Sequence, residues 1–245
     1  MNNYKAQVNI DRSDLGTSIP LKTPYVIYIE PSGYCNLKCN FCMHGSEQQF
    51  TRGLMPVSRF EKVIDELNNF EDKIKLLRVC GNGDPLMNKK ILDMLRYASQ
   101  NRNNIERIEM ITNGILLNDK LISELPKFLD RIIISIEGLS DNDYIDVAKT
   151  KIDFNNFLEN IRELYRSRGK CTLHLKVHNE AVKKEERKSL FFKLFSDFCD
   201  EIYIEQIVPM WPELDIGRSN NLFRYEIENV IKRLVCAQIF KGMQI

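Results

Sequence analysis

Cys35-Asn-Leu-Lys-Cys39-Asn-Phe-Cys42 crowds three thiols into one short loop. Thiolates are the usual ligands of iron–sulfur clusters, which ordinarily take four, so a cluster held here keeps one iron without a protein ligand. An open metal position is where a substrate or cofactor binds in catalytic sites. Common zinc sites pair a C-x2-C knuckle with a second Cys/His pair, and no second knuckle follows. His44 would complete a compact zinc site, and that alternative stays open. The loop follows a short apolar strand pattern, Val26 to Glu30, and precedes a long series of strand and helix signals.

Outward from the loop, the chain of 245 residues is of a length that α/β barrels reach as one unit. Its 35 basic and 34 acidic side chains nearly cancel, which argues against a global footprint for a nucleic acid or an anionic membrane. Residues 1–24 form a polar leader without an apolar h-region, and no apolar run is long enough to cross a bilayer, so a cytoplasmic protein is expected. The remaining cysteines (Cys80, Cys171, Cys199, Cys236) are scattered, unlike a secreted disulfide framework, and reduced thiols are expected.

Short β-branched runs alternate with helical patterns. Strands are expected at Tyr25 to Glu30, Lys75 to Cys80, Ile105 to Ile111, Arg131 to Ile136, Thr172 to His178 and Glu201 to Val208. Helices are expected near residues 57–69, 88–101, 118–128, 154–168 and 184–198. The βα repeats imply a parallel sheet with right-handed crossovers. In the fifth strand Leu173, Leu175 and Val177 share one face, and His174, Lys176 and His178 the other. A sheet covered by helices on both sides would bury that polar face at high cost, so a curved partial barrel lined by polar groups is expected. Arg78, Ser135, Glu137 and Glu205 are candidates for the same interior, as substrate contacts or as a structural salt-bridge network.

Ligands of parallel α/β folds bind beyond the carboxyl ends of the strands. Four unusual segments fall there. The cysteine loop follows strand 1, Gly81-Asn-Gly-Asp84-Pro85 strand 2 and Thr112-Asn113-Gly114 strand 3, while Ser135-Ile-Glu137-Gly138 closes strand 4.

With these in order, the chain resembles the radical S-adenosylmethionine (radical SAM) enzymes. Their C-x3-C-x2-C hallmark, with an aromatic before the last cysteine, is matched by Cys35, Cys39, Phe41 and Cys42. Their Gly-Gly-Glu-Pro, Thr-Asn-Gly and Ser-x-Asp-Gly segments resemble residues 81–85, 112–114 and 135–138. The resemblance implies a partial (β/α)6 TIM-like barrel over residues 25–210. It implies a [4Fe–4S] cluster on Cys35, Cys39 and Cys42, with S-adenosylmethionine (SAM) chelating the open iron. Reductive cleavage of SAM would yield a 5′-deoxyadenosyl radical that abstracts hydrogen from a small metabolite, sugar or peptide. A reductant such as flavodoxin or ferredoxin is implied as partner, and a non-catalytic iron–sulfur or SAM-binding protein is the alternative.

By motif position, the resemblance puts Phe41 beside adenine, Gly83 where backbone must approach closely, and Asp84 on the methionine ammonium. Asp84 stands where relatives carry the longer glutamate. Ser135 is implied on the ribose or carboxylate, Val208 on adenine, and Lys149 on the carboxylate near the place of a relative's arginine, without its bidentate fork. Asn113 and Asn179 end strands and either face the cofactor or form ordinary turns. His44, His174 and His178 are candidate proton-transfer groups. Trp211-Pro212-Glu213 is a candidate substrate loop or a packing element. Cys236-Ala-Gln-Ile-Phe240 resembles the start of a cysteine-rich SPASM extension, so residues 211–245 are expected to be a C-terminal segment truncated within it, unless Cys236 is merely a buried small residue.

Overall fold

The computed structural model describes residues 21–45 and 52–207 and the strand Gly242–Gln244. Most of the leader, Val208, the Trp211 loop and the Cys236 segment therefore lie outside the described residues.

In chain order the elements are β1 (Val26–Ile29), α1 (Val57–Leu67), β2 (Leu76–Val79), α2 (Ile91–Gln100), β3 (Ile108–Thr112), α3 (Asp119–Phe128), β4 (Arg131–Ile136), α4 (Asp141–Ala148), α5 (Phe154–Ser167), β5 (Thr172–His178), α6 (Glu185–Phe195), β6 (Glu201–Glu205) and β7 (Gly242–Gln244). All strands run parallel in the order β6-β5-β4-β3-β2-β1-β7. From β1 to β6 each strand lies beside its sequence neighbour, so successive right-handed crossovers put their helices on one side of the sheet. A doubly wound sheet would reverse its order midway and carry helices on both faces.

The outer face repeats every second residue. Ile27, Leu77, Ile108, Ile134 and Leu175 are fully buried there, and α1, α2, α3 and α5 pack side by side over them. Burying each such side chain contributes about 1.5–3 kcal/mol. The inner face carries Tyr28, Arg78, Glu109, Arg131, His174, Lys176 and Tyr203, aligned strand to strand by the register. On a flat sheet β2 and β6 would stand about 19 Å apart. Yet Cys42, in the loop after β1, and Glu205, at the end of β6, line one cavity. The sheet is curled into the expected partial barrel, with these groups facing one another across it.

Boundaries differ from expectation where side chains intervene. Ile105 makes only an isolated bridge to Ile74, and β3 starts where Asp130 Oδ2 accepts from Ile108 N at 2.7 Å. β6 stops at Glu205 because Ile207 N donates to the Asn179 side chain at 2.9 Å instead of to a strand. Helix α4 was not expected from periodicity: of its residues only Tyr144 and Ala148 are buried, too few to show an apolar stripe.

Candidate active site

The cysteine loop is a chain of tight turns. Cys42 N donates to Cys39 O at 3.0 Å and Gly45 N to Cys42 O at 2.9 Å. A side chain on Gly45 would collide with the Cys39 carbonyl, so the turn requires glycine. The loop is pinned from outside by α4, whose Ala148 and Val147 carbonyls accept from Lys38 N and Asn40 N, both at 2.9 Å. These bonds satisfy carbonyls that a helix end otherwise leaves unpaired.

Burial pushes the Cys35 thiol up to about 11, with Asp84 and Cys42 adding to the rise. Burial likewise raises Cys39 and Cys42, reinforced by the nearby Glu137 carboxylate. Three thiolates this close cannot ionise together without a positive partner, and soft thiolate sets select iron–sulfur clusters among metals. Among the described residues no three His, Cys, Asp or Glu side chains form a group fit for a metal ion. A cluster does not ask for that, since each thiolate ligates its own iron. His44, whose pKa is lowered by burial, places Nε2 3.0 Å from Asn82 O and so ties the loop to the glycine-rich segment.

That segment is packed against the lead-in to the cysteines. A Cβ on Gly83 would strike the Ser32 and Tyr34 backbone, and Asp84 N donates to Tyr34 O at 2.8 Å. Glu30, at the end of β1, accepts from Asn82 N and Gly83 N. Asp84 is buried and turned inward: it accepts from Leu86 N at 2.9 Å, Asn113 N at 2.7 Å and the Thr112 hydroxyl. Burial raises its pKa against these bonds. Asn113 in turn extends Nδ2 to Asn36 Oδ1 at 2.8 Å and to Cys35 Sγ at 3.7 Å. Thus Gly83, Asp84 and Asn113 interlock the three loops and shape the seat of Cys35.

Beside the thiols opens a cavity of about 280 Å³ lined by Phe41, Cys42, Ser135, Glu137, Lys176, His178 and Ile207, among others. The Phe41 and His178 rings lie 4.8 Å apart. Ala181 N donates to His178 Nδ1 at 3.2 Å, so Nε2 carries the proton and donates to Glu137 O at 3.3 Å. Burial lowers the His178 pKa, which agrees with this neutral tautomer. Burial pushes Glu137 up to about 7, opposed by Lys176 and reinforced by Glu205.

Of the expected cofactor contacts, Phe41 and Ser135 line the cavity, and Gly83, Asp84 and Asn113 form the wall behind the cysteines. Lys149 is not brought to them: it is exposed, takes the left-handed conformation (φ 51°) that ends α4, and folds its Nζ onto Asp146 O at 2.7 Å. Asn179 serves the end of β6, and Val208 lies outside the described residues. His174 sits on the inner face 3.4 Å from Glu201. Two residues escaped the sequence reading. Glu109, fully buried, accepts from Arg78 Nε and from Arg131 Nη1 at 3.5 Å, and Glu30 caps the glycine-rich loop. A lone carboxylate among apolar residues, Ile108-Glu109-Met110, was the available signal for the first.

A profile of the radical SAM superfamily matches residues 29–187. The chain is 25% identical over 201 residues to GTP 3′,8-cyclase of Clostridium perfringens (strain 13), covering 81% of this chain and 59% of that protein. It is 25% identical over 203 residues to the GTP 3′,8-cyclase of Alkaliphilus metalliredigens, covering 82% and 62%. The chain thus spans about three fifths of the length of these relatives. Among solved structures it is similar to Streptococcus suis SuiB bound to S-adenosylmethionine, with TM-score 0.61 and 15% identity over 91% of this chain and 51% of that one. It is also similar to anSMEcpe with bound AdoMet, with TM-score 0.63 and 18% identity over 86% and 62%. At such identities the structural likeness shows the shared fold.

Proposed function

The chain belongs to the radical SAM superfamily, and from that premise we propose that it is an enzyme that cleaves SAM reductively and takes hydrogen from a polar substrate. Cys35, Cys39 and Cys42 would hold the [4Fe–4S] cluster. When bound, the cluster and SAM supply the 5′-deoxyadenosyl radical, and the protein supplies placement and exclusion of water. Phe41 and Ile207 offer apolar walls to the adenosyl group, and the Ser135 hydroxyl and the Glu137–His178 pair offer polar contacts to its sugar. Asp84, Thr112 and Asn113 keep the cysteine loop in register with the cavity. The observation that carries this reading is that the cavity is walled by the cysteine loop itself, through Phe41 and Cys42.

The substrate class is a small metabolite, sugar or peptide, and the names of the relatives make GTP the first compound to try. A flavodoxin or ferredoxin would deliver the electron. Anaerobic reconstitution should give a brown protein with about four irons that releases 5′-deoxyadenosine under strong reductant. Cys35→Ala should abolish both. Reconstituted protein that never cleaves SAM would sink the enzyme reading. The inward-turned Asp84 favours one second reading, a non-catalytic SAM-binding protein, for which binding without turnover is the mark.

A further inference from the structure

The carboxylates on the inner face of the barrel have basic partners, with one exception. Glu109 takes Arg78 and Arg131, Glu137 lies 3.7 Å from His178 Nε2, Glu201 3.4 Å from His174 Nδ1 and Glu205 2.6 Å from Lys176 Nζ. Glu30 continues the inward alternation of Tyr28, opposite the buried Ile27 and Ile29, and among the described residues it is in no ion pair. It is partly buried, and its Oε1 accepts from Asn82 N and from Gly83 N, the latter at 3.0 Å. Oε2 has no partner among the described residues. The carboxylate also lies where a side chain on Gly81 would stand, since a Cβ there would strike Glu30 Cγ, Cδ and Oε1.

Three successive amides of the glycine-rich rim are already occupied, Asn82 N and Gly83 N by Glu30 and Asp84 N by Tyr34 O. The Gly81 and Gly83 carbonyls accept no hydrogen bond among the described residues. The rim stands beside the cysteine loop, because Gly83 packs on the Tyr34 backbone next to Cys35, and Asn82 O accepts from His44 Nε2 at 3.0 Å. It therefore offers that loop an unpaired carboxylate oxygen and two carbonyls. Asp84, the carboxylate that the motif puts on the methionine ammonium, is engaged elsewhere: it is buried and accepts from Leu86 N, Asn113 N and the Thr112 hydroxyl. A primary ammonium carries three donors, no acceptor and a positive charge, which is what these acceptors lack. We propose that Glu30, rather than Asp84, holds the ammonium of SAM, with the Gly81 and Gly83 carbonyls as further acceptors. The assignment deepens the enzyme reading above and rests on it for the identity of the cation.

The test is calorimetric titration of the anaerobically reconstituted protein with SAM and with a SAM analogue that lacks the amino group. Wild type should bind SAM about tenfold or more tightly than the analogue, the scale of a charge-assisted hydrogen bond. Glu30→Gln keeps an oxygen for Asn82 N and Gly83 N but removes the charge, so the loop stays in place while the preference for SAM largely disappears. Affinity for the analogue should not change, whereas loss of a mere loop prop would weaken both ligands alike. Gly81→Ala is the second variant: its methyl group displaces the flexible end of Glu30, and it should lower the preference severalfold. Equal wild-type affinities for the two ligands, an undiminished preference in either folded variant, or equal weakening of both ligands overturns the proposal. Release of 5′-deoxyadenosine is followed on the same samples. A preference that depends on Glu30 in a protein that never cleaves SAM would defeat the enzyme reading and leave the assignment standing; cleavage with a preference indifferent to Glu30 would defeat the assignment alone.

Discussion

The Thr112 hydroxyl lies 2.8 Å from Asp84 Oδ2 and 3.0 Å from Oδ1, so the loops after β2 and β3 are joined side chain to side chain. Asp84 is buried, and each donor lost leaves it short of a bond that water cannot replace. Thr112→Val should cost about 1–3 kcal/mol of folding stability in denaturant titrations, and Thr112→Ser should restore most of it. Equal stability of Thr112→Val and wild type would show that the bond contributes nothing.

Asn113 Nδ2 points at Cys35 Sγ, and hydrogen bonds to cluster sulfurs favour the more negative, reduced state. Asn113→Leu should therefore shift the reduction potential of the reconstituted protein to more negative values. Redox titration monitored by electron paramagnetic resonance reads this directly, and an unchanged potential would assign Asn113 to loop architecture alone.

Glu137 gives a pH signature. Its folded pKa is raised from 4.5 to about 7, so the folded chain binds this proton more tightly than the unfolded chain. Its stabilising contribution is present below the unfolded value and is lost as pH rises through about 7. In the cluster-free protein, where burial keeps the Cys35 thiol protonated, Glu137→Gln should melt close to wild type at acidic pH and above it at alkaline pH. A melting difference that does not change with pH would refute the assignment.

The Ser140 side chain caps α4 by accepting from Asp143 N at 3.2 Å, and α4 pins the cysteine loop through Val147 and Ala148. Ser140→Ala should cost about 1 kcal/mol. It should also speed hydrogen exchange at Lys38 and Asn40, whose amides α4 holds, without altering exchange in β2 or β3.

The barrel and its rim were legible because their signals are local. Alternation in β5 separates a leucine–valine face from a histidine–lysine face, and each of the four motifs sits where a strand ends. Partner choice was less legible. Asp84 and Asn113 carry groups able to meet a cofactor, but only the folded register shows that they meet each other. Lys149 matches by offset alone, while the backbone at that position turns left-handed and carries the side chain out to solvent. The signal for α4 was Ser140 followed by Asp143 three residues on, a capping pattern with little apolar periodicity behind it. Glu109 gains its meaning from alignment with Arg78 and Arg131, a relation that exists only once β2, β3 and β4 are side by side.

The consecutive strand order leaves β6 at one end of the sheet, where among the described residues it pairs only with β5. A bare strand edge is a template for a second molecule to add a strand and begin aggregation. Glu201 and Glu205 stand along that edge, 44% and 51% exposed. A strand joining β6 would have to strip water from both carboxylates. The residues that meet His174 and Lys176 thus also disfavour the addition of a foreign strand at β6.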